Sequence, residues 1–250
     1  MTRPLLLRTI VAISISGLAA ACNGPRSLAT LPDVGAAAER GDAEAQDSLG
    51  RMYLNGIGVP QNDTIAVIWF RKSAAQGNAS GETNLGFMYG RGRGVSKNDT
   101  AAVEWYRKAA AQGFASAQFD LGVMYRQGRA VPQDNAAAIA LYRKAAAQGD
   151  PDAEYNLGVL YDRGIGVPQD ATIAVSWYRK AADQGMHDAR LNLGISYANG
   201  EGVPKDLPSA YMWLSLAPDT VRRSQVAALM TPEQIATGER MAQAWRAPAR

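Results

Sequence analysis

Gly149-Asp150-Pro151-Asp152-Ala153-Glu154-Tyr155-Asn156-Leu157-Gly158-Val159-Leu160-Tyr161 opens a stretch that decides the fold of this chain. It continues through Gly164-Ile165-Gly166-Val167-Pro168-Gln169-Asp170 and closes on Trp177-Tyr178-Arg179-Lys180-Ala181-Ala182-Asp183-Gln184. Its Leu157-Gly158 pair recurs as Leu49-Gly50, Leu85-Gly86, Leu121-Gly122 and Leu193-Gly194, each glycine 36 residues after the last. A fixed period of this length is the mark of a solenoid, whose units stack because none can bury its apolar face alone.

The first unit shows why each repeat should be two helices. Ala45, Leu49, Met52 and Tyr53 fall at i, i+4, i+7 and i+8, one apolar stripe on a helix running from about 43 to 54. Gly56 follows, and its equivalents are Gly92, Gly128, Gly164 and Gly200, the residue that ends helices in a left-handed turn. A connector then carries one apolar residue, Val59, repeated as Val95, Val131, Val167 and Val203. Ser96 stands for its proline in the second unit and Ala130 for a glycine in the third, so those two connectors should differ slightly. The second helix opens at an Asx column, Asn62, Asn98, Asp134, Asp170 and Asp206, as N-caps. Its stripe, Ala66, Trp69, Phe70 and Ser73, has an aromatic column at Trp69, Trp105, Leu141, Trp177 and Trp213 that is expected to pack between helices. Small residues at Ala74, Ala110, Ala146 and Ala182 allow close helix approach, and Gly77, Gly113, Gly149 and Gly185 divide the units.

These residues resemble the Sel1-like repeat, a relative of the tetratricopeptide repeat with a longer connector. The likeness rests on Ala153, Leu157, Gly158, Tyr161, Gly164, Gly166, Val167, Ala174, Trp177, Tyr178, Ala181, Ala182, Gln184 and Gly185. It implies an all-α fold, an α/α superhelical solenoid of five helix hairpins at 41–76, 77–112, 113–148, 149–184 and 185–220. Departures are Leu141, Ser196, Leu216 and Pro218. Residues 32–40 match only the tail of a second helix and should cap one end, completing a solenoid over 32–220. Residues 221–250 should form the other cap. There Val221 to Met230 is a helix candidate, and Thr231-Pro232-Glu233-Gln234 is a capping box ahead of a helix to about Trp245.

The start of the chain reads as an address. Arg3 and Arg8 precede an apolar run from Thr9 to Leu18 and small residues Ala19-Ala20-Ala21, the order of a secretory signal peptide over 1–21. The run is shorter than the ~20 residues that span a bilayer. Cys22 is the only cysteine, so no disulfide can form within one chain. Leu18-Ala19-Ala20-Ala21-Cys22 resembles the lipobox of bacterial lipoproteins, although the usual Leu three places before the cysteine is Ala19 here. That likeness implies a lipidated Cys22 and, with Asn23 next, an exported protein held at the outer membrane and facing the periplasm. Residues 22–31 read as a flexible tether.

Function narrows by elimination and by resemblance. The chain carries 26 Lys and Arg against 23 Asp and Glu; without Arg3 and Arg8 the cations fall to 24. That near-balance speaks against nucleic acid as partner. His187 is the only histidine, at a helix start, and no Cys/His cluster implies a metal. No glycine loop for phosphate occurs, so no cofactor is expected. Some cysteine-rich secreted relatives carry β-lactamase or penicillin-binding names, but no Ser-x-x-Lys occurs here.

A non-enzymatic scaffold for protein–protein interaction is the leading expectation. The rival is a periplasmic regulator that restrains a membrane sensor kinase in exopolysaccharide control, as some relatives do. Related repeats line a concave face with their first helices, and the varied columns there are Asp47/Thr83/Phe119/Tyr155/Leu191, Ser48/Asn84/Asp120/Asn156/Asn192, Arg51/Phe87/Val123/Val159/Ile195 and Asn55/Arg91/Gln127/Arg163/Asn199. They suggest a groove for a protein or peptide segment, floored by Phe87, Phe119, Tyr155 and Val159. An amide ladder at Asn84, Asn156 and Asn192 would grip its backbone. Asp47, Asp120 and Arg163 complete the candidate set.

Overall fold

The computed structural model describes residues 31–217 and 219–246. The leader, Cys22, the tether through Thr30 and the last four residues lie outside the described residues. Every regular element among the described residues is a helix. A first helix, α1 (Leu31–Glu39), precedes five hairpins: α2 (Ala43–Asn55) with α3 (Asp63–Ala75), α4 (Ala79–Arg91) with α5 (Asp99–Ala111), α6 (Ala115–Gln127) with α7 (Asn135–Ala146), α8 (Pro151–Arg163) with α9 (Ala171–Asp183), and α10 (His187–Asn199) with α11 (Leu207–Leu216). Two more helices follow, α12 (Thr220–Ala227) and α13 (Pro232–Arg246). The chain forms two compact units that divide between Phe114 and Ala115.

Local chemistry sets the helix ends. The Asx column accepts from the backbone N–H three residues on: Asn62 from Ile65 at 3.0 Å, Asp134 from Ala137 at 2.9 Å, Asp170 from Ile173 at 2.9 Å. Asp42, Asn78 and Asp150 cap α2, α4 and α8 in the same way. Thr231 and Gln234 form a reciprocal capping box before α13. The third connector keeps the course of the others instead of diverging. Ala130 is driven to φ 54°, beside 65–72° for the glycines Gly58, Gly94, Gly166 and Gly202 of its column. A left-handed alanine is strained, so the hairpin geometry overrides the local preference.

The Leu-Gly pair has a packing reason. A Cβ on Gly50 would stand 2.5 Å from Phe70, one on Gly122 2.7 Å from Tyr142, and one on Gly158 2.5 Å from Tyr178. The glycine is where the two helices of a hairpin meet, and the ring from the second helix fills the space that a side chain would take.

In the first unit, Phe70, Val67, Ala66 and Ala74 bury against Leu54, Leu85 and Met88, while Ala38 of α1 closes on Leu49 and Met52. In the second, Tyr142, Ile139, Ala145, Leu157 and Leu160 form one cluster, and Tyr178, Val175, Leu193, Trp213 and Ala242 another. The expected tryptophan column packs against these clusters, but only Trp213 is fully buried. Trp69, Trp105 and Trp177 are only half-buried, each with a lysine ammonium (Lys72, Lys108, Lys180) about 4 Å above its ring at 4.0, 3.9 and 4.1 Å. The buried ring is one residue later: Phe70, Tyr106, Tyr142 and Tyr178.

Polar ties link successive repeats within each unit. Arg71 donates to the Tyr89 hydroxyl at 2.9 Å, Arg143 to Tyr161 at 2.7 Å and Arg179 to Tyr197 at 2.5 Å. The glutamine that ends each second helix donates to a buried residue on the first helix of its own hairpin: Gln76 to Gln46, Gln112 to Glu82, Gln148 to Gln118 and Gln184 to Glu154, at 2.8–2.9 Å.

Candidate interaction face

The predicted groove residues all lie on first helices, but in two separate units. Asp47, Asn84 and Phe87 belong to the first. Phe119, Asp120, Tyr155, Asn156, Arg163 and Asn192 belong to the second.

In the first unit the face is stitched rather than open. Asp47 is 3% exposed, which corrects its place as a groove residue. Its carboxylate accepts from Ser80 at 2.8 Å and Asn84 at 2.6 Å and pairs with Arg51 at 3.3 Å. A buried carboxylate needs such partners, so this column ties α2 to α4. Phe87 is half-buried against the core, with Arg91 over its ring at 5.9 Å.

The amides of the expected ladder already hold partners within the fold. The Asn84 amide is spent on Asp47, and the Asn156 amide donates to the Asp152 carbonyl one turn back at 2.8 Å. Asn192 lies within hydrogen-bonding reach of the Tyr155 and Tyr178 hydroxyls. Each amide is tied to its own helix or to a neighbouring one.

The second unit presents a different face. Phe119 lies on Tyr142 with ring centroids 5.6 Å apart, and Tyr155 on Tyr178 at 5.8 Å. Both outer rings are half-buried, so they are the visible edge of the core rather than free-standing anchors. Around them stand groups that periodicity did not single out. Arg126 lies beside the Tyr142 hydroxyl; its Nε and that hydroxyl are buried without a completed hydrogen bond. Burial pushes the Tyr142 hydroxyl up, while Arg126 pulls it down and Asp120 pushes it up. Burial likewise pushes Tyr178 well up, with Asp162 adding to it. Arg163 is exposed near the Tyr155 and Tyr178 hydroxyls. The signal for these groups is the column Leu54, Gly90, Arg126, Asp162 and Ala198, whose charge changes at each step from Gly90 onward.

Among the described residues no cluster of His, Cys, Asp and Glu could hold a metal, and no helix is long and apolar enough to cross a membrane. His187 is exposed at the start of α10.

Antiparallel hairpins with a Leu-Gly crossing, a left-handed glycine stop and an Asx-capped second helix define an α/α repeat protein of the solenoid class. The Sel1 repeat model matches residues 43–78, 79–114, 115–150, 151–186 and 187–217, and the chain belongs to that family.

Among solved structures, the chain is similar to c5321, a protective antigen of uropathogenic Escherichia coli with this repeat fold. The two share 34% identity at a TM-score of 0.72 over 86% of this chain and 48% of that one. The chain thus spans about half the length of that relative. It is similar also to a Sel1 repeat protein from Oxalobacter formigenes, at 33% identity and a TM-score of 0.65 over 83% and 87% of the two chains. A third structure, from Klebsiella pneumoniae, shares the fold at 24% identity and a TM-score of 0.53 over 86% and 98%. Comparison with curated proteins gave no match. Proteins of the Sel1 repeat family are in general scaffolds for protein interaction.

Proposed function

We propose that this chain is a non-enzymatic interaction scaffold of the bacterial cell envelope, exported by its leader, anchored through a lipid on Cys22, and binding a protein segment along its first helices. The observation that carries the reading is a contrast between columns. Leu121, Leu157 and Leu193 repeat without change and are buried, as the stack requires. Beside them Asp120 gives way to Asn156, and Arg126 to Asp162 and then Ala198, so charge changes along the columns from repeat to repeat. Recognition needs such variation and stacking does not.

The test keeps the core intact. Tyr155→Phe with Arg163→Ala removes a hydroxyl and an exposed cation while preserving the ring on Tyr178. Crosslinked capture from envelope extract should fall about tenfold, the loss of roughly 1.4 kcal/mol of binding. Full-strength capture by the folded double variant would overturn the placement. Cys22→Ser should release the protein from membranes and abolish fatty-acid labelling, since stable anchoring rests on acyl chains. Unchanged membrane association would overturn the anchor, and a soluble periplasmic wild type would favour the sensor-kinase regulator.

A further inference from the structure

The last repeat departs from its neighbours at two positions that face each other. Leu214 stands in the column of Phe70, Tyr106, Tyr142 and Tyr178, and Ala198 in that of Arg126 and Asp162. Both replacements are shorter than their counterparts in repeats three and four. Where repeat four has Tyr178 and Asp162, repeat five has only Leu214 and Ala198, and both line open space. Helix α12 then closes one side, with Val226 buried against Leu214 and Ala210. The result is an open-mouthed cleft of about 360 Å³. Ligand sites typically start at about 300 Å³ and combine apolar walls with a few polar groups.

The walls have a clear division. Ile195, Ala198, Leu214, Val226 and Leu229 make an apolar floor and side, and Leu229 is 68% exposed. Lys205 and Arg222 stand at the rim with the amides of Asn199 and Gln225. Among the described residues no carboxylate lies within ion-pairing distance of Lys205. Arg222 gives one nitrogen to Asp219 at 2.5 Å and keeps others. An apolar pit beside two cations suits an apolar group that carries a negative charge.

We infer that this cleft binds the C-terminal residue of a partner polypeptide, with its apolar side chain against Leu214, Val226 and Leu229 and its carboxylate between Lys205 and Arg222. The Gln225 amide favours a peptide over a bare acyl chain, because only a peptide brings an amide group to pair with it; the Asn199 amide nitrogen already donates to the Glu201 carboxylate at 3.1 Å. The choice of a polypeptide rests on the scaffold reading above; the cleft and its charges do not.

The test uses the full chain with labelled Ile, Leu and Val methyls. It is titrated with acetyl-Gly-Gly-Ala-Leu bearing a free carboxylate, with the amide-ended twin, and with octanoate. The acid-ended peptide should shift the methyls of Leu214, Val226 and Leu229 saturably. The amide-ended twin should bind at least about fivefold more weakly, and Lys205→Ala should weaken the acid about threefold or more. Leu214→Phe should abolish the shifts by filling the cleft. Phenylalanine already sits at this column as Phe70, so the variant is expected to fold. Ala198→Asp is a second route to the same loss, by charge instead of bulk.

No saturable shift, or equal binding of acid and amide, would overturn the proposal. Tighter binding of octanoate would also overturn it and assign the cleft to an acyl amphiphile. The two readings fail separately. Leu214→Phe should leave envelope capture through Tyr155 and Arg163 intact, and the peptide titration stands or falls whether or not a partner is captured there.

Discussion

Repeats four and five each place a tryptophan at the same position, and the two meet different fates. Trp177 is half-buried with Lys180 laid over its ring at 4.1 Å. Trp213 is 1% exposed, stacked beneath the Arg179 guanidinium at 4.9 Å and edge-on to Trp245 of α13 at 6.1 Å. Beside Trp245 lies Arg190, at 4.4 Å from its ring. That arginine is buried where repeat four has Glu154, and it donates to the carbonyls of Ala182 and Leu216. Position within a repeat therefore fixes only a direction; the depth of burial is set by what stacks on the next side. An interior repeat leaves its tryptophan at the rim of a seam, and the terminal repeat buries it under a cap.

The largest effect should separate these two tryptophans. Trp213→Ala opens a cavity in a closed cluster and is expected to cost about 3–5 kcal/mol. Trp177→Ala removes a ring that water and Lys180 already share, and should cost about 1 kcal/mol. Chemical denaturation of both variants checks the difference. Equal losses would mean that the cap adds nothing to the burial of Trp213.

A second contrast uses the Leu-Gly crossing. Gly158→Ala would press a methyl to 2.5 Å from the rigid Tyr178 ring, whereas Gly194→Ala meets the branched end of Leu214 at 2.6 Å. Leucine can rotate toward the neighbouring cleft, and the tyrosine ring is held by Tyr155. Overpacking costs of about 1–3 kcal/mol are therefore expected at Gly158, and clearly less at Gly194. Melting temperatures of the pair decide it; a Gly194→Ala loss as large as that of Gly158→Ala would show that the cleft gives Leu214 no room.

These contrasts mark what could be read from the amino acids. The five hairpins and their caps were legible because helix stops, Asx caps and stripes are local and recur in register. The Leu-Gly pair was legible as a repeat but not as a crossing, since its cause is a ring on another helix. The Trp column drew attention by size, but Tyr178 and its equivalents turned inward; one step in a helix rotates a side chain by about 100°, and periodicity in a short stripe does not resolve it. Asp47 looked variable and therefore free. Its burial depends on Ser80 and Asn84, one repeat away, which single-helix patterns do not contain. The Gln184–Glu154 bond, 30 residues apart in sequence, was hidden for the same reason.

The smallest effect comes from that bond and completes the comparison. The column reads Gln46, Glu82, Gln118, Glu154 and Arg190, so repeats one and three already place a neutral amide where repeats two and four place a carboxyl. Burial pushes the Glu154 carboxyl above its ordinary value, with the Gln184 donor and Lys180 pulling it down and Asp150 and Asp183 pushing it up. Stability from such a raised group is fully present below the ordinary glutamate value and is lost as pH rises through the raised one, because the folded state must then bury the charge. Glu154→Gln keeps an acceptor for Gln184, as Gln118 does for Gln148 at 2.9 Å, and removes that charge. It should stabilise the protein by about 0.5 kcal/mol at neutral pH. It should make no such gain below the ordinary carboxyl range, so the difference between variant and wild type must grow from pH 4 to pH 7 (roughly the interval between an unperturbed glutamate and neutrality). Arg190→Gln at the equivalent place in repeat five should do the reverse, because it strips two carbonyls and Trp245 of their cation. A Glu154→Gln variant less stable than wild type at neutral pH would mean that the carboxylate is held by more than Gln184 and Lys180.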